Sequence, residues 1–85
     1  MVKTNIIDYY EQQIKQYDYI MEHIRQEIKF CDEIMSHEKE SSGGETNAFR
    51  MFDRWKREYI KRLDSMGRFH TETSRRLSVI KEDAN

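Results

Sequence analysis

Three histidines and sixteen carboxylates are the side chains of this sequence that could hold a metal ion or move a proton. His23 precedes Glu27 by four residues, and Glu33 precedes His37 by the same interval. That interval is typical of ordinary side-chain pairs along a helix. His70 has no second histidine at ligand spacing, and the Glu-x-x-His repeats of di-iron bundles do not occur. We therefore expect no metal site and no cofactor.

The sequence indicates no catalytic site either. Catalysis needs a nucleophile or an acid–base pair held in a cleft, and the chain contains neither a G-x-S-x-G motif nor a glycine-rich phosphate loop. Cys31 is the single cysteine, so it cannot form an intramolecular disulfide. Its position among apolar residues predicts a small buried hydrophobic side chain. We expect a protein that is not an enzyme.

Basic side chains recur along the second half of the chain and are the candidates for anion or nucleic-acid binding. Arginine suits this role because its planar guanidinium matches phosphate. Residues 47–85 hold ten Lys/Arg against six Asp/Glu, whereas residues 1–46 hold five against ten. Packing of the basic second half against the acidic first half is therefore the preferred explanation of the basic stripe. The net charge of −1 argues against strong sequence-independent nucleic-acid binding. The candidates are Arg50, Arg54, Arg57, Lys61 and Arg68.

Aromatic and polar side chains form a row in the first half of the chain, expected on the far side of a helix from its apolar stripe. Tyrosine at an exposed position offers apolar area with a polar tip, which is typical of protein interfaces. Tyr9, Tyr19, His23 and Phe30 are the candidates for contact with a protein partner. Chance placement of tyrosines is the alternative. The row consists of Tyr9, Gln12, Gln16, Tyr19, His23, Gln26 and Phe30.

Two apolar stripes with alternating steps of three and four residues predict the helices that position these side chains. Ile6, Ile20 and Ile34 widen the first stripe, which suits a bundle better than a two-stranded coiled coil. Lys56 and Thr73 are polar interruptions of the second. The first stripe is Ile7, Tyr10, Ile14, Tyr17, Met21, Ile24, Ile28, Cys31 and Met35. The second is Phe49, Phe52, Tyr59, Leu63, Met66, His70, Leu77, Ile80 and Ala84.

The predicted fold is all-α, a single domain over residues 1–85 with two long antiparallel helices in a hairpin. The first helix is expected over about 5–40 with Thr4 or Asn5 as its N-cap. A short loop over 41–46 contains two serines and two glycines. The second helix is expected over about 47–81, capped by Thr46 or Asn47. Gly67 is either a tolerated weak point of that helix, a bend, or a site where another backbone approaches closely.

A hairpin buries only one stripe per helix, and domains below about 70–80 residues rarely gain more than roughly 3–5 kcal/mol from their own core. We therefore expect a homodimer, assembled as a four-helix bundle or a coiled-coil-like structure. Assembly with a different protein chain is the alternative. The core seam is expected to contain Ile14, Tyr17, Met21, Ile24, Ile28, Phe52, Tyr59, Leu63 and Met66.

The function expected from these features is protein–protein interaction. The protein would be a small regulatory adaptor or inhibitor, of the kind found among bacterial or phage accessory proteins, that binds a macromolecular partner through an outer helix face. The alternatives are a nucleic-acid-associated protein that uses the basic stripe, and a structural assembly component or small chaperone. No segment approaches the roughly 18 consecutive apolar residues of a membrane span, and no secretory leader is recognisable, so a cytoplasmic location without membrane contact is expected.

Overall fold

The computed structural model describes the backbone of residues 2–84 and the side chains of residues 5–83. Helix α1 spans Val2–Ser42 and helix α2 spans Asn47–Ala84. The two helices pack against each other along a rod of 62 × 14 × 14 Å. This arrangement confirms the predicted all-α helical hairpin. Neither helix, in the described part of the chain, is long and apolar enough to cross a membrane.

Both helices extend beyond their expected ends. Helix α1 begins at Val2, so the backbones of Thr4 and Asn5 are helical and neither residue is the N-cap that the sequence suggested. No glycine or proline precedes them to stop the helix. The side chain of Thr4 lies outside the described side chains, as does that of Ala84. At the other end of α1, Ser41 and Ser42 belong to the helix rather than to the loop, and α2 continues past Lys81.

The loop is short because each helix end next to it carries its own stop or start signal. Gly43 has a left-handed backbone with φ of 69°, and its N–H donates to the carbonyl of Lys39 at 3.1 Å. Thr46 is the N-cap of α2, since its hydroxyl accepts the N–H of Phe49 at 3.1 Å. The same hydroxyl donates to a carboxylate oxygen of Glu38 at 3.1 Å. Thr46 therefore starts α2 and also ties it to the end of α1.

The core lies between the helices, along the two apolar stripes. Met21, Ile24, Cys31 and Leu77 are buried, and the other members of both stripes with described side chains are half-buried. Of the nine residues expected in the core seam, Met21 and Ile24 are buried and the other seven are half-buried. Of the two polar interruptions, Thr73 is buried and Lys56 is half-buried. A core this narrow leaves most side chains of the hairpin in contact with solvent.

Cys31 is the most completely enclosed side chain of the core, with 2% of its surface exposed. Burial raises the pKa of its thiol, and the neighbouring carboxylates of Glu27 and Asp32 raise it further. The thiol is therefore held in its protonated form, which is the unreactive one. Cys31 acts here as a small packing residue.

Gly67 lies within α2 and does not interrupt it. A Cβ added at Gly67 would meet no atom within 4 Å, so no other part of the described chain approaches its backbone closely. The alternative of close approach is therefore excluded within the hairpin. The glycine costs helix stability without an evident packing reason.

Replacing Gly67 by Ala should raise the free energy of unfolding by about 0.5–1 kcal/mol, because alanine restricts the unfolded chain and fits the helix without a clash. Gly43→Ala is the matched control and should lower it by about 1 kcal/mol, since the left-handed backbone disfavours a side chain. Urea denaturation followed by circular dichroism measures both. Destabilisation by Gly67→Ala would show that the helix needs the glycine.

Candidate interaction surface

The groove between the two helices opens on two opposite sides of the rod, and ion pairs bridge one of them. The side that these pairs bridge is called the closed side below. The acidic members of the pairs are separated by multiples of seven residues, so they lie along one side of α1. Two ion pairs join Lys56 to Asp32 at 2.6 Å and Lys81 to Glu11 at 3.2 Å. The third bridge is a polar contact of 3.0 Å between Nε2 of His70 and Asp18, which is an ion pair when the imidazole is protonated.

The bridges of the closed side run in reverse order along the two helices, which is the pattern of an antiparallel pair. Lys56 and His70 belong to the apolar stripe of α2, and each extends a polar group from the seam to the acid opposite. Such partly exposed pairs stabilise a protein by about 0–1 kcal/mol each. Their main consequence is a polar closed side with a fixed register between the helices.

The opposite side of the groove, called the open side below, has no ion pair across the helices among the described residues. A broad depression lies there between α1 and α2, and Glu27 and Arg62 face each other across it without an ion pair between them. Apolar side chains line the floor. The depression is lined by Ile20, His23, Ile24 and Glu27 from α1 and by Glu58, Tyr59, Lys61, Arg62, Ser65 and Met66 from α2.

Eight of the ten large apolar side chains that are exposed in the described part of the chain belong to the open side. The spacing by sevens places them there: Ile6 is two heptads before Ile20, and Tyr9 and Phe30 are whole heptads from His23. In α2, Trp55 and Phe69 each lie one heptad from Arg62. The eight are Ile6, Tyr9, Ile20, Phe30, Met51, Trp55, Phe69 and Val79. The two sides of the hairpin therefore differ sharply in polarity.

Aromatic rings contact each other across the open side. The ring of Tyr17 stacks on Phe69 with centroids 6.2 Å apart, and Phe30 meets Phe52 edge-on at the same distance. Phe52 also meets Trp55 edge-on at 5.1 Å. Each of the exposed rings of Phe30, Trp55 and Phe69 therefore packs against a half-buried ring of the stripes. Side chains that already have packing partners lose less side-chain entropy when the surface is covered.

The structure corrects the expected location of the aromatic row. Phe30 and His23 border the open groove rather than facing away from α2. His23 follows Ile20 by three residues and Phe30 follows Glu27 by three, so both project from the open side of α1. Tyr9 packs edge-on against Tyr10 at 5.5 Å, beside the same side. Only Tyr19 points away from the groove, with 76% of its surface exposed. The row therefore consists of two neighbouring ridges with different surroundings.

The basic candidates are exposed, and three of the five pair with acids on their own helix. Arg57 binds Asp53 and Arg68 binds Asp64, each at 2.8 Å, and Lys61 lies 3.5 Å from Glu58. Arg50 and Arg54 have no ion pair with any described residue. None of the five takes part in the bridges between the helices, contrary to the expected pairing of this stripe with the acidic half.

Sequence reasoning missed the contribution of α2 to the open side. Trp55 and Phe69 each directly precede a stripe residue, as Ile6, Ile20 and Ile34 do in α1. In an antiparallel pair, the residues of both helices that directly precede a stripe position lie on the same side of the groove. The signal was therefore present in the spacing, but it appears only when both helices are read together.

Among the described residues there is no group of three or more His, Cys, Asp or Glu side chains that could hold a metal ion. His23 lies 3.9 Å from Glu27, and His70 belongs to the bridge with Asp18. Comparison with protein-family models, with curated proteins and with solved structures gives no match to this chain. The contrast between the open and closed sides is therefore the feature on which a function can be argued.

Replacing Phe30 by Ala should lower the free energy of unfolding by about 1 kcal/mol, because it removes the ring contact with Phe52 across the helices. Tyr19→Ala removes an aromatic side chain from the same helix and should leave the stability nearly unchanged, since Tyr19 is largely in solvent. Thermal and urea denaturation of both variants checks the difference. Equal effects would place the two residues in equivalent surroundings, against the structure.

Proposed function

We propose that this protein is a non-enzymatic protein–protein interaction module, a small adaptor or inhibitor that works as an assembly of hairpins. The observation that supports this proposal is the concentration of exposed apolar side chains on the open side, beside a groove that only half covers the core. Large apolar patches rimmed by polar residues are typical of protein interaction sites.

A four-helix bundle is the assembly that this surface fits. Its helices pack around a shared core through apolar positions next to the main stripe. In the hairpin, Ile20 and Ile34 on α1 and Trp55 and Phe69 on α2 hold such positions, and they widen the seam only toward the open side. We propose a homodimer in which the open sides of two hairpins meet.

A partner of such a dimer would contact the surfaces that stay outside. Tyr19 is the candidate anchor there, beside a shallow depression that it lines together with Lys15, Gln16 and Ile20. Tyr9, His23 and Phe30, the other candidates for partner contact, would be covered with the open side. The enclosed protonated thiol of Cys31 fits a reducing compartment such as the cytoplasm, which is the proposed location.

Nucleic-acid binding through the basic stripe is the weaker alternative. Carboxylates one turn away neutralise Arg57, Lys61 and Arg68, and counterion release requires positive charge that is free to meet phosphate. Of the five candidates, only Arg50 and Arg54, near the loop, retain charge without an ion pair to a described residue. Two such residues supply a small part of the electrostatic term of typical nucleic-acid binding.

Replacing Ile20 by Ser should weaken the dimer at least about tenfold, because each dimer then loses two apolar side chains from its interface. Ile60→Ser is the matched control: Ile60 lies three heptads from Lys81, on the closed side, and is similarly exposed at 47% against 39% for Ile20. Sedimentation equilibrium measures the dissociation constant. The single tryptophan, Trp55, gives a second measurement through a red shift of its emission on dilution.

Equal weakening by the two substitutions would remove the open side as the interface. A wild-type chain that is a stable monomer at micromolar concentration would remove the dimer itself.

The tagged protein should capture one protein from a lysate of its native cell, and Tyr19→Ala should reduce that capture several-fold without loss of helicity. Mass spectrometry identifies the captured protein, and nuclease treatment of the lysate should not change the yield. Arg50→Gln with Arg54→Gln is the control for the alternative. Capture that disappears with nuclease and with this double variant would favour nucleic-acid association.

A further inference from the structure

We propose that the two hairpins are related by a two-fold axis parallel to the helices, so that α1 of each copy lies on α2 of the other and Glu27 pairs with Arg62 of the second copy. This inference rests on the dimer proposed above and specifies its geometry. It follows from the order of polar and apolar side chains along the open side.

The open side is built of layers, each with one residue from either helix. Glu27 and Arg62 both line the central depression. The bridge between Asp18 and His70 sets the register: Glu27 lies nine residues after Asp18 and Arg62 eight residues before His70, which places them in one layer. Seven residues along α1 in either direction are Ile20 and Ile34, and seven along α2 are Phe69 and Trp55. Since seven residues are two helical turns of about 10.5 Å in both helices, an apolar layer lies on either side of the charged one.

A two-fold axis along the rod keeps every layer at its own height. The rotation exchanges left and right, so α1 of one copy lies opposite α2 of the other in the same layer. Ile20 then meets Phe69 of the second copy, and Ile34 meets Trp55. In the central layer, Glu27 meets Arg62 of the second copy, and the opposite charges complement each other twice in the dimer.

The other symmetric way to join two open sides has its axis across the helices and places like helices on each other. If the axis passes through the central layer, Glu27 meets Glu27 and Arg62 meets Arg62 of the second copy. If it passes through the layer of Ile20, Arg62 meets Arg76 of the second copy. Both registers bring like charges together, which disfavours them. An axis through the layer of Ile34 avoids like charges, but Ile20 and Phe69 then lie beyond the loop end of the second copy and stay uncovered.

Neither Glu27 nor Arg62 has a strong ion-pair partner among the described residues of its own hairpin. Arg62 lies over the ring of Tyr59, 5.8 Å from its centroid, and has no carboxylate within 4 Å among the described residues. Glu27 has one weak contact, with His23 at 3.9 Å. The ring of Tyr59 holds the guanidinium on the open side. A net charge of −1 per chain adds little repulsion between the copies.

Charge reversal at the two positions tests the pair. Glu27→Arg and Arg62→Glu should each weaken the dimer about tenfold, because each dimer loses two pairs and gains like-charge contacts. The variant with both changes restores opposite charges between the copies and should recover most of the affinity. Sedimentation equilibrium measures the dissociation constants, and circular dichroism checks that each hairpin is folded. A double variant as weak as the product of the two single effects would overturn the pair.

Spin labels on the outer ridge of α1 test the axis independently. Gln12→Cys, Gln26→Cys and Glu40→Cys lie on one line, and each is labelled in a Cys31→Ala background, or Cys31→Ser if the Ala variant does not fold. With an axis along the rod, the distance between the two labels of a dimer is the same at all three positions. Neighbouring positions are about 21 Å apart along α1, so an axis across the rod makes at least one distance differ.

Pulsed electron paramagnetic resonance measures the three distances. Equal distances are the expected result. Unequal distances in a confirmed dimer would overturn the parallel axis and leave the proposed function standing. Absence of a dimer in sedimentation would overturn both.

Discussion

The structure depends on the burial of one apolar seam between two helices. A helix that meets a single neighbour can enclose only the side chains at alternating steps of three and four residues, and the rest of its circumference stays in solvent. Met21, Ile24, Cys31 and Leu77 are enclosed in this way, and the remaining stripe residues are only half covered. Helical spacing thus decides which residues form the core. The core stays partly exposed because no third helix is present in the described chain to cover it.

The flanks of the seam then decide how the molecule meets its surroundings. On one flank, residues next to the seam are acids that reach basic groups of α2, as Asp32 reaches Lys56. On the other flank, the equivalent positions hold Ile20, Phe69 and Trp55, which lie beside the seam and are only partly covered. Charged pairs keep water on the closed side, whereas removing water from the apolar side chains of the open side is favourable. The open side is therefore the side through which the hairpin is expected to associate.

The sequence was sufficient for the features that depend on one helix at a time. The stripes predicted two helices, and the serine–glycine segment located the turn, because periodicity and glycine act locally. The first N-cap was wrong because nothing before Asn5 prevents a helix, and polar residues cap only where the backbone already turns. Features that need both helices were missed. The ring of Phe30 reaches Phe52, and Phe69 stacks on Tyr17, only because of the register that the antiparallel pairing sets.

The charges show the same division between local and long-range pairing. The acidic and basic halves suggested that the arginine stripe would hold the helices together, yet Arg57 and Arg68 bind acids one turn away on α2. A local pair needs no alignment between helices, whereas a bridge forms only where an acid of α1 lies opposite. Lys56 and His70 in the seam and Lys81 on the closed side each lie opposite an acid of α1 and form a bridge to it. Arg62 and Glu27 do neither, since each lacks a strong partner although they border the same depression. They stand between two apolar layers on the open side, so charges without a strong partner and exposed apolar side chains lie together there.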